Sequence, residues 1–432
     1  ARMSRFQAII TLLSALGVFL DGYDISIISV ALLYIKPEFH PTSYELGLIG
    51  AATSIGMLIG ALLFGYLADR FGRRLMFIWD LIFFVIFTAL TAVAQNTIQL
   101  IIFRALLGIG LGADYALSTT IVAEFSPKFW RGKLMAANVF GWWVGALAAY
   151  LIGLALLPLG PISWRYMLAI GIIPAIAVII SRNWLPESPR WLVVHGQAEK
   201  AAKILENAFG VPVKPSDVEA AYKPLPRVPI SELFSRDIVR YTVFVWGFWF
   251  AFDFVFYGIS IFTPTLLIAL GLKGMTAAVQ ASVFVAAMEM AGSAVSIVLM
   301  DRLGRKPITV IGFLVASALL LALGLMYPPS TLMLLTLFPL YAFFLAFGPG
   351  TTDFVYSAEL FPTRVRATGQ ASSTAISRVG AIISIFFFPT LLATWGTKLS
   401  LIFFAIVGFI GFIITVVLGV ETKQKSLEEI AR

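Results

Sequence analysis

GYLADRFGRR at residues 65–74 and MDRLGRKP at residues 300–307 are two versions of one loop. Both follow a long apolar run, and both place an aspartate, an arginine, a glycine and two further basic residues in the same order. Glycine permits a close turn, aspartate caps a helix start or pairs with an arginine, and the basic residues hold the loop on the inner side of a membrane. Asp69 and Asp301 lie 232 positions apart, and the same offset carries Asp21 in the first apolar run to Asp253 in the seventh. AEFSPKFWRG at 123–132 returns as AELFPTRVR at 358–366, with 235 positions between Glu124 and Glu359. Three features at nearly one offset mark an internal duplication, six spans plus six, and parallel halves around a central path are a transporter design.

The composition agrees. Of 432 residues, 59% are hydrophobic and 12% charged, with a mean hydropathy of +0.93, outside the range of soluble globular proteins. Absence of cysteine excludes disulfides and thiolate metal sites. The two histidines, His40 and His195, fall in loops, so no histidine metal cluster and no cofactor is expected. About twelve runs are long enough to cross a ~30 Å hydrocarbon core: 7–35, 44–68, 75–95, 98–125, 133–158, 164–184, 238–268, 277–300, 307–326, 331–360, 367–393 and 398–420. The first holds two aspartates and lacks a small-residue cleavage site, so it is not read as a signal peptide. With the N-terminus inside, four of the 31 Lys and Arg fall outside (Lys36, Arg165, Lys273, Lys398), two lie in spans (Arg104, Arg378), and the rest are inside. The positive-inside rule therefore places both ends in the cytoplasm. The net charge of +8 reads as topology and contact with anionic lipid, not as a nucleic-acid surface.

Charges inside apolar spans single out candidate functional residues, since each costs roughly 3 kcal/mol at mid-membrane. IIFRALLGIGLGADYALSTTIVAEFSPKFWRG (101–132) carries Arg104, Asp114 and Glu124, with Gly108, Gly110 and Gly112 spaced to let neighbouring helices approach closely. LDGYD (20–24) sets Asp21 and Asp24 on one turn, where two carboxylates in a low dielectric do not both hold a charge easily. Trp249, Asp253 and Tyr257 recur every fourth residue, forming an aromatic stripe around a carboxylate that suits a binding wall. Glu289 sits in the eighth run, Asp353 follows a helix-breaking Gly348-Pro349-Gly350, and Arg378 lies well inside the eleventh. Arginine cannot release its proton, so Arg378 needs a carboxylate or an anionic ligand. Six acids thus face two buried arginines. Several must be protonated, or the substrate is a cation.

DRFGRR, DRLGRK and RALLGIGLG (104–112) resemble the signatures of the major facilitator superfamily. The resemblance implies an all-α membrane protein of twelve transmembrane helices in two six-helix bundles, 1–184 and 238–420. A linker with short helices would occupy 185–237, and a cytoplasmic tail 421–432. It also implies a gating set in the motif loops and span ends: Asp69, Arg70, Arg73, Glu124, Arg131, Asp301, Arg305, Glu359 and Arg366, with Arg104 in gating or proton transfer. PESPRWL (186–192) and VETKQKSLEEI (420–430) are similar to sugar porters, although the glutamine-rich motif of that branch is absent from the seventh span. GADYALSTTIVAEF (112–125), WFAFDFVFYG (249–258) and FGPGTTDF (347–354) are similar to phosphate:proton symporters, matching Asp114, Tyr115, Trp249, Asp253 and Tyr257. This chain departs from that pattern at Trp142, Gly350 and Arg378, where the family has glutamine, asparagine and lysine. LDGYD resembles aromatic-acid:proton symporters, and the run 358–382 resembles organic-anion members of the organic-ion transporters.

Together these resemblances imply proton-coupled symport of an anionic solute by a monomer in the cell membrane. Tyr115, Trp142, Trp249, Asp253, Tyr257 and Arg378 would bind substrate, and Asp21, Asp24, Asp114, Asp253 and Glu289 would couple protons. An organic cation or a sugar is the alternative substrate, and a ligand sensor that does not transport is a further one. An enzyme is not expected, because no nucleophile–base pair or metal cluster is apparent.

Overall fold

In hydrocarbon no water can satisfy the backbone, so an apolar chain must bond its own amides within each segment. The computed structural model describes residues 5–125, 131–221, 229–362 and 365–423, and among these residues no strand occurs. The helices are α1 (Arg5–Phe39), α2 (Ser43–Phe71), α3 (Arg73–Ala92), α4 (Thr97–Phe125), α5 (Arg131–Leu156), α6 (Ser163–Ala169) and α7 (Ile172–Arg182). Three short ones follow, α8 (Pro189–Val194), α9 (Ala198–Phe209) and α10 (Pro215–Ala221). The remainder are α11 (Val239–Ser260), α12 (Thr263–Ala269), α13 (Met275–Leu303), α14 (Arg305–Leu325), α15 (Thr331–Phe347), α16 (Pro349–Glu359) and α17 (Arg366–Leu418).

Ten apolar helical segments among the described residues are long enough to cross a membrane. Two of them hold two crossings each. Thr368–Leu418 runs 51 residues, about 77 Å at 1.5 Å per residue, and it breaks at Gly396, whose φ is 77°. Val139–Arg182 runs 44 residues and breaks in the 3-10 turn at 157–162, where Gly160 has φ 74°. By length and composition the described residues thus supply twelve crossings, as the apolar spacing predicts. The Gly348-Pro349-Gly350 run does interrupt its helix. α15 ends at Phe347 and α16 begins at Pro349.

The helices group into two compact units. The first contains Ala1–Asp24, Ala52–Gly145 and Arg165–Pro226; the second contains Ile25–Ala51, Ala146–Trp164 and Arg227–Arg432. In the first, α2 and α4 meet along a glycine seam. A Cβ on Gly56 would strike the Ala105 carbonyl, one on Gly60 that of Ile109, and one on Gly112 that of Met57. Gly110 faces α3 instead, against the Asp80 carbonyl. The small helices of the linker close over Leu192, Ala201, Ala202, Leu205 and Val218. Ile204 also packs on the bundle-end cluster of Phe64, Phe77, Leu185 and Ala208, so the linker adds to an existing core. In the second unit α11 and α14 pack on α17, and the Gly312 and Gly348 backbones touch.

Candidate functional site

The first unit buries two arginines among carboxylates. Asp24 on α1 and Arg104 on α4 form an ion pair at 3.4 Å with almost no exposure. A helix-central acid and a helix-central base, assigned separate roles from their positions in the chain, thus meet. Asp21 is fully buried one turn away on the same helix. The second arginine is Arg182, at the end of α7. It pairs with Asp114 of α4, lies 3.7 Å from Asp80 of α3, accepts the Phe77 ring at 3.4 Å beneath its guanidinium, and donates to the Phe77 carbonyl at 2.9 Å. Neither Asp80 nor Arg182 is among the expected site residues. The charge balance therefore changes: among the described residues, six buried acids within the spans (Asp21, Asp24, Asp80, Asp114, Asp253 and Glu289) face three buried arginines (Arg104, Arg182 and Arg378). Trp142 lies in this unit too, with its backbone against Gly22 and its ring edge-on to Trp143.

The second unit gathers the aromatic stripe with the remaining arginine. Trp249, Asp253 and Tyr257 are all buried on α11. The Arg378 guanidinium of α17 lies over the Tyr257 ring at 5.1 Å. The charges of Arg378 and Asp353 both bear on Asp253, and the Ser377 hydroxyl beside Arg378 donates to the Thr374 carbonyl at 3.0 Å. Trp249 packs edge-on against Phe354, next to Asp353. Arg378 therefore lies against an aromatic wall, 8% exposed, where its charge is felt by both Asp253 and Asp353. Glu289 of α13 is buried apart from this cluster, near the hydroxyls of Tyr150 and Tyr341.

The repeated loops build two matching devices. The Glu187 carboxylate accepts from the Arg73 and Arg74 backbone N–H groups at 2.9 and 3.1 Å, which caps α3. Glu421 does the same for Arg305 and Lys306 at the start of α14, both at 3.0 Å. Gly72 and Gly304 precede these helices with φ of 105° and 97°, and a Cβ on either would run into its glutamate. In the second unit Arg305 also bridges Glu359 at 3.0 Å and Asp301 at 3.2 Å, while Thr422 donates to Glu359 at 2.5 Å. Arg366 donates to the Phe361 carbonyl at 3.1 Å. Arg70 is exposed over the Phe71 ring, and Arg73 is held through its backbone. The side chains of Asp69, Tyr115, Glu124 and Arg131 lie outside the described residues. The two glutamate caps come from PESPR and ETK, and only the offset of 234 between Glu187 and Glu421 could have signalled their equivalence.

A family model described as "Sugar (and other) transporter" matches residues 10–432. The chain is 32% identical over 427 residues to the inner membrane metabolite transport protein YgcS of Escherichia coli K12, covering 98% of this chain and 94% of that protein. It is 29% identical over 432 residues to the niacin transporter NiaP of Acinetobacter baylyi, covering 99% and 97%. Among solved structures it is similar to the partially occluded, inward-open xylose transporter XylE from E. coli, with a TM-score of 0.83, 25% identity, and coverage of 98% and 100%.

Proposed function

The chain belongs to the sugar (and other) transporter family of the major facilitator superfamily, and from that membership we propose that it moves an anionic solute together with protons. It is a secondary transporter, not an enzyme. The observation that carries the anion reading is Arg378, a permanent cation set over the Tyr257 ring at a nearly buried site. Asp253 and Asp353 balance it when no ligand is present. An incoming carboxylate or phosphate competes for the guanidinium, and the displaced carboxylates take up protons, because an unpaired buried charge is costly. Ligand and proton then favour the same conformer, and that shared preference is the coupling. The relative named for niacin is a transporter of an acid, which supports this reading. Asp24 with Arg104, and Asp21 beside them, supply proton sites in the first unit. The proposal includes a monomer in the cell membrane with both ends in the cytoplasm and with the motif loops as gates.

An organic cation is the second reading, favoured by the surplus of buried acids; the xylose transporter's name favours a sugar. Uptake into proteoliposomes with an acidic exterior separates them, using phosphate, an aromatic acid, a sugar acid, a neutral sugar and an organic cation. The expected result is uptake of an acid that requires the proton gradient. In Arg378→Ala it falls about 30- to 150-fold, the size expected for losing a charge partner worth roughly 2–3 kcal/mol. Uptake of the cation or sugar alone, unchanged in that variant, would overturn the proposal and leave Arg378 a structural ion-pair residue.

A further inference from the structure

We infer that Asp80 holds a proton in the closed first unit, so that Asp80, Asp114 and Arg182 form a second proton site distinct from the Asp24–Arg104 pair. Its role in coupling rests on the transport reading above; the protonation is a property of the site alone. Three helices build it. α3 brings Asp80, α4 brings Asp114 and α7 brings Arg182, and all three side chains are sealed from solvent. α3 packs against α4 and α7, and among the described residues the charged groups those helices bring to the site are Asp114 and Arg182. α1 closes the site with Gly17, whose backbone lies against both Asp114 and Arg182 and leaves room for them. The nearest charge on α1 is Asp21, one turn further on.

Two carboxylates and one guanidinium carry a net charge of −1 when all are ionised. A surplus charge in a sealed apolar site costs several kcal/mol, and a proton removes that cost. The geometry shows which carboxylate takes it. Asp114 holds the direct ion pair with Arg182. Asp80 stands at 3.7 Å, its Oδ1 accepts the Leu81 N–H at 2.6 Å, and its Oδ2 has no hydrogen-bond donor. The proton belongs on Oδ2. When water reaches the triad, the Oδ2–H bond breaks, the proton passes to water, and the triad's charge goes from 0 to −1 while Asp114 keeps Arg182. Along α1, Asp24, Asp21 and Gly17 step from the Arg104 pair down to this triad, and Asp114 lies about 15 Å beyond Arg104 along α4. The first unit thus carries a ladder of acids running from Asp24 to Asp80.

Infrared difference spectroscopy of the full chain in liposomes, titrated between acid and alkali without substrate, tests the site. The wild type shows a protonated-carboxyl stretching band that Asp80→Asn removes. Asp114→Asn removes it as well, because Arg182 is then free to pair with Asp80 and ionise it. Arg182→Gln gains a second carboxyl, since the cation that Asp80 and Asp114 share is gone, and Arg182→Lys matches the wild type. A purely structural role would not produce this opposite response to removing the acid and removing the base. Equal carboxyl intensity in Asp80→Asn and wild type would overturn the proposal, as would a band that survives in Asp114→Asn. Should Arg182→Gln not fold, the two aspartate variants decide alone. Because no substrate is present, failure here is distinct from failure of the uptake panel.

Discussion

The two kinds of charge in the Asp24–Arg104 pair fail in different ways. A carboxylate left without its cation can take a proton and become neutral, whereas a guanidinium cannot shed one. Asp24→Ala removes the carboxylate paired with the sealed Arg104 charge and is expected to cost about 3 kcal/mol or more, while Arg104→Met leaves an acid that neutralises itself and costs clearly less. Thermal unfolding in detergent checks the order: Asp24→Ala should melt well below Arg104→Met, and equal melting would show that the pair is not buried as described. Arg104 and Asp24 were legible in the chain because each interrupts a long apolar run. Arg182 was not. It stands at the end of such a run, beside Asn183, and reads as one more basic residue of the inner loops. Only the packing of α7 against α3 draws it inside, over the Phe77 ring. Asp80 interrupts the run 75–95 near its start, but nothing in the chain shows that Arg182, about a hundred residues on, is the cation it meets.

At the level of elements, the glutamate caps and the glycine seam do separate work. Each glutamate satisfies two orphan amides and places a negative charge at a helix start, worth about 1 kcal/mol. Glu187→Gln and Glu421→Gln should each speed amide exchange in the first turn of the helix it caps, α3 or α14, and leave the other helix unchanged. Exchange rising in both would mean that the two devices are not independent. The seam between α2 and α4 is less forgiving. A side chain on Gly112 would meet the Met57 carbonyl, which is backbone and cannot swing away. Gly112→Val should therefore lower the melting temperature and the folded yield sharply, whereas the same change at Gly160, where nothing lies within 4 Å, meets no neighbour and costs only the strain of its φ of 74°. That glycines permit close approach was readable from GIGLG. Which partner each one meets was not, since neighbouring glycines face different helices.

For the whole molecule, orientation is testable because the chain lacks cysteine. A single cysteine placed at Gln197 in the linker should react with a membrane-impermeant maleimide only after cells are opened. One at Asn96, in the turn between α3 and α4, should react in intact cells. The reverse pattern would invert the proposed topology. The number of crossings, the duplication and the family were all determined by the sequence alone. A ~30 Å hydrocarbon core sets the length of an apolar run, and a repeated motif keeps its offset whatever the chain packs against. Tertiary structure decided which charges meet: Asp24 with Arg104 across 80 residues, Asp114 with Arg182 across 68, and Arg378 with the α11 stripe. Spacing places a residue on a helix face but cannot say which helix that face will find. Burial and pairing are properties of the neighbours, and neighbours are chosen only when the helices pack.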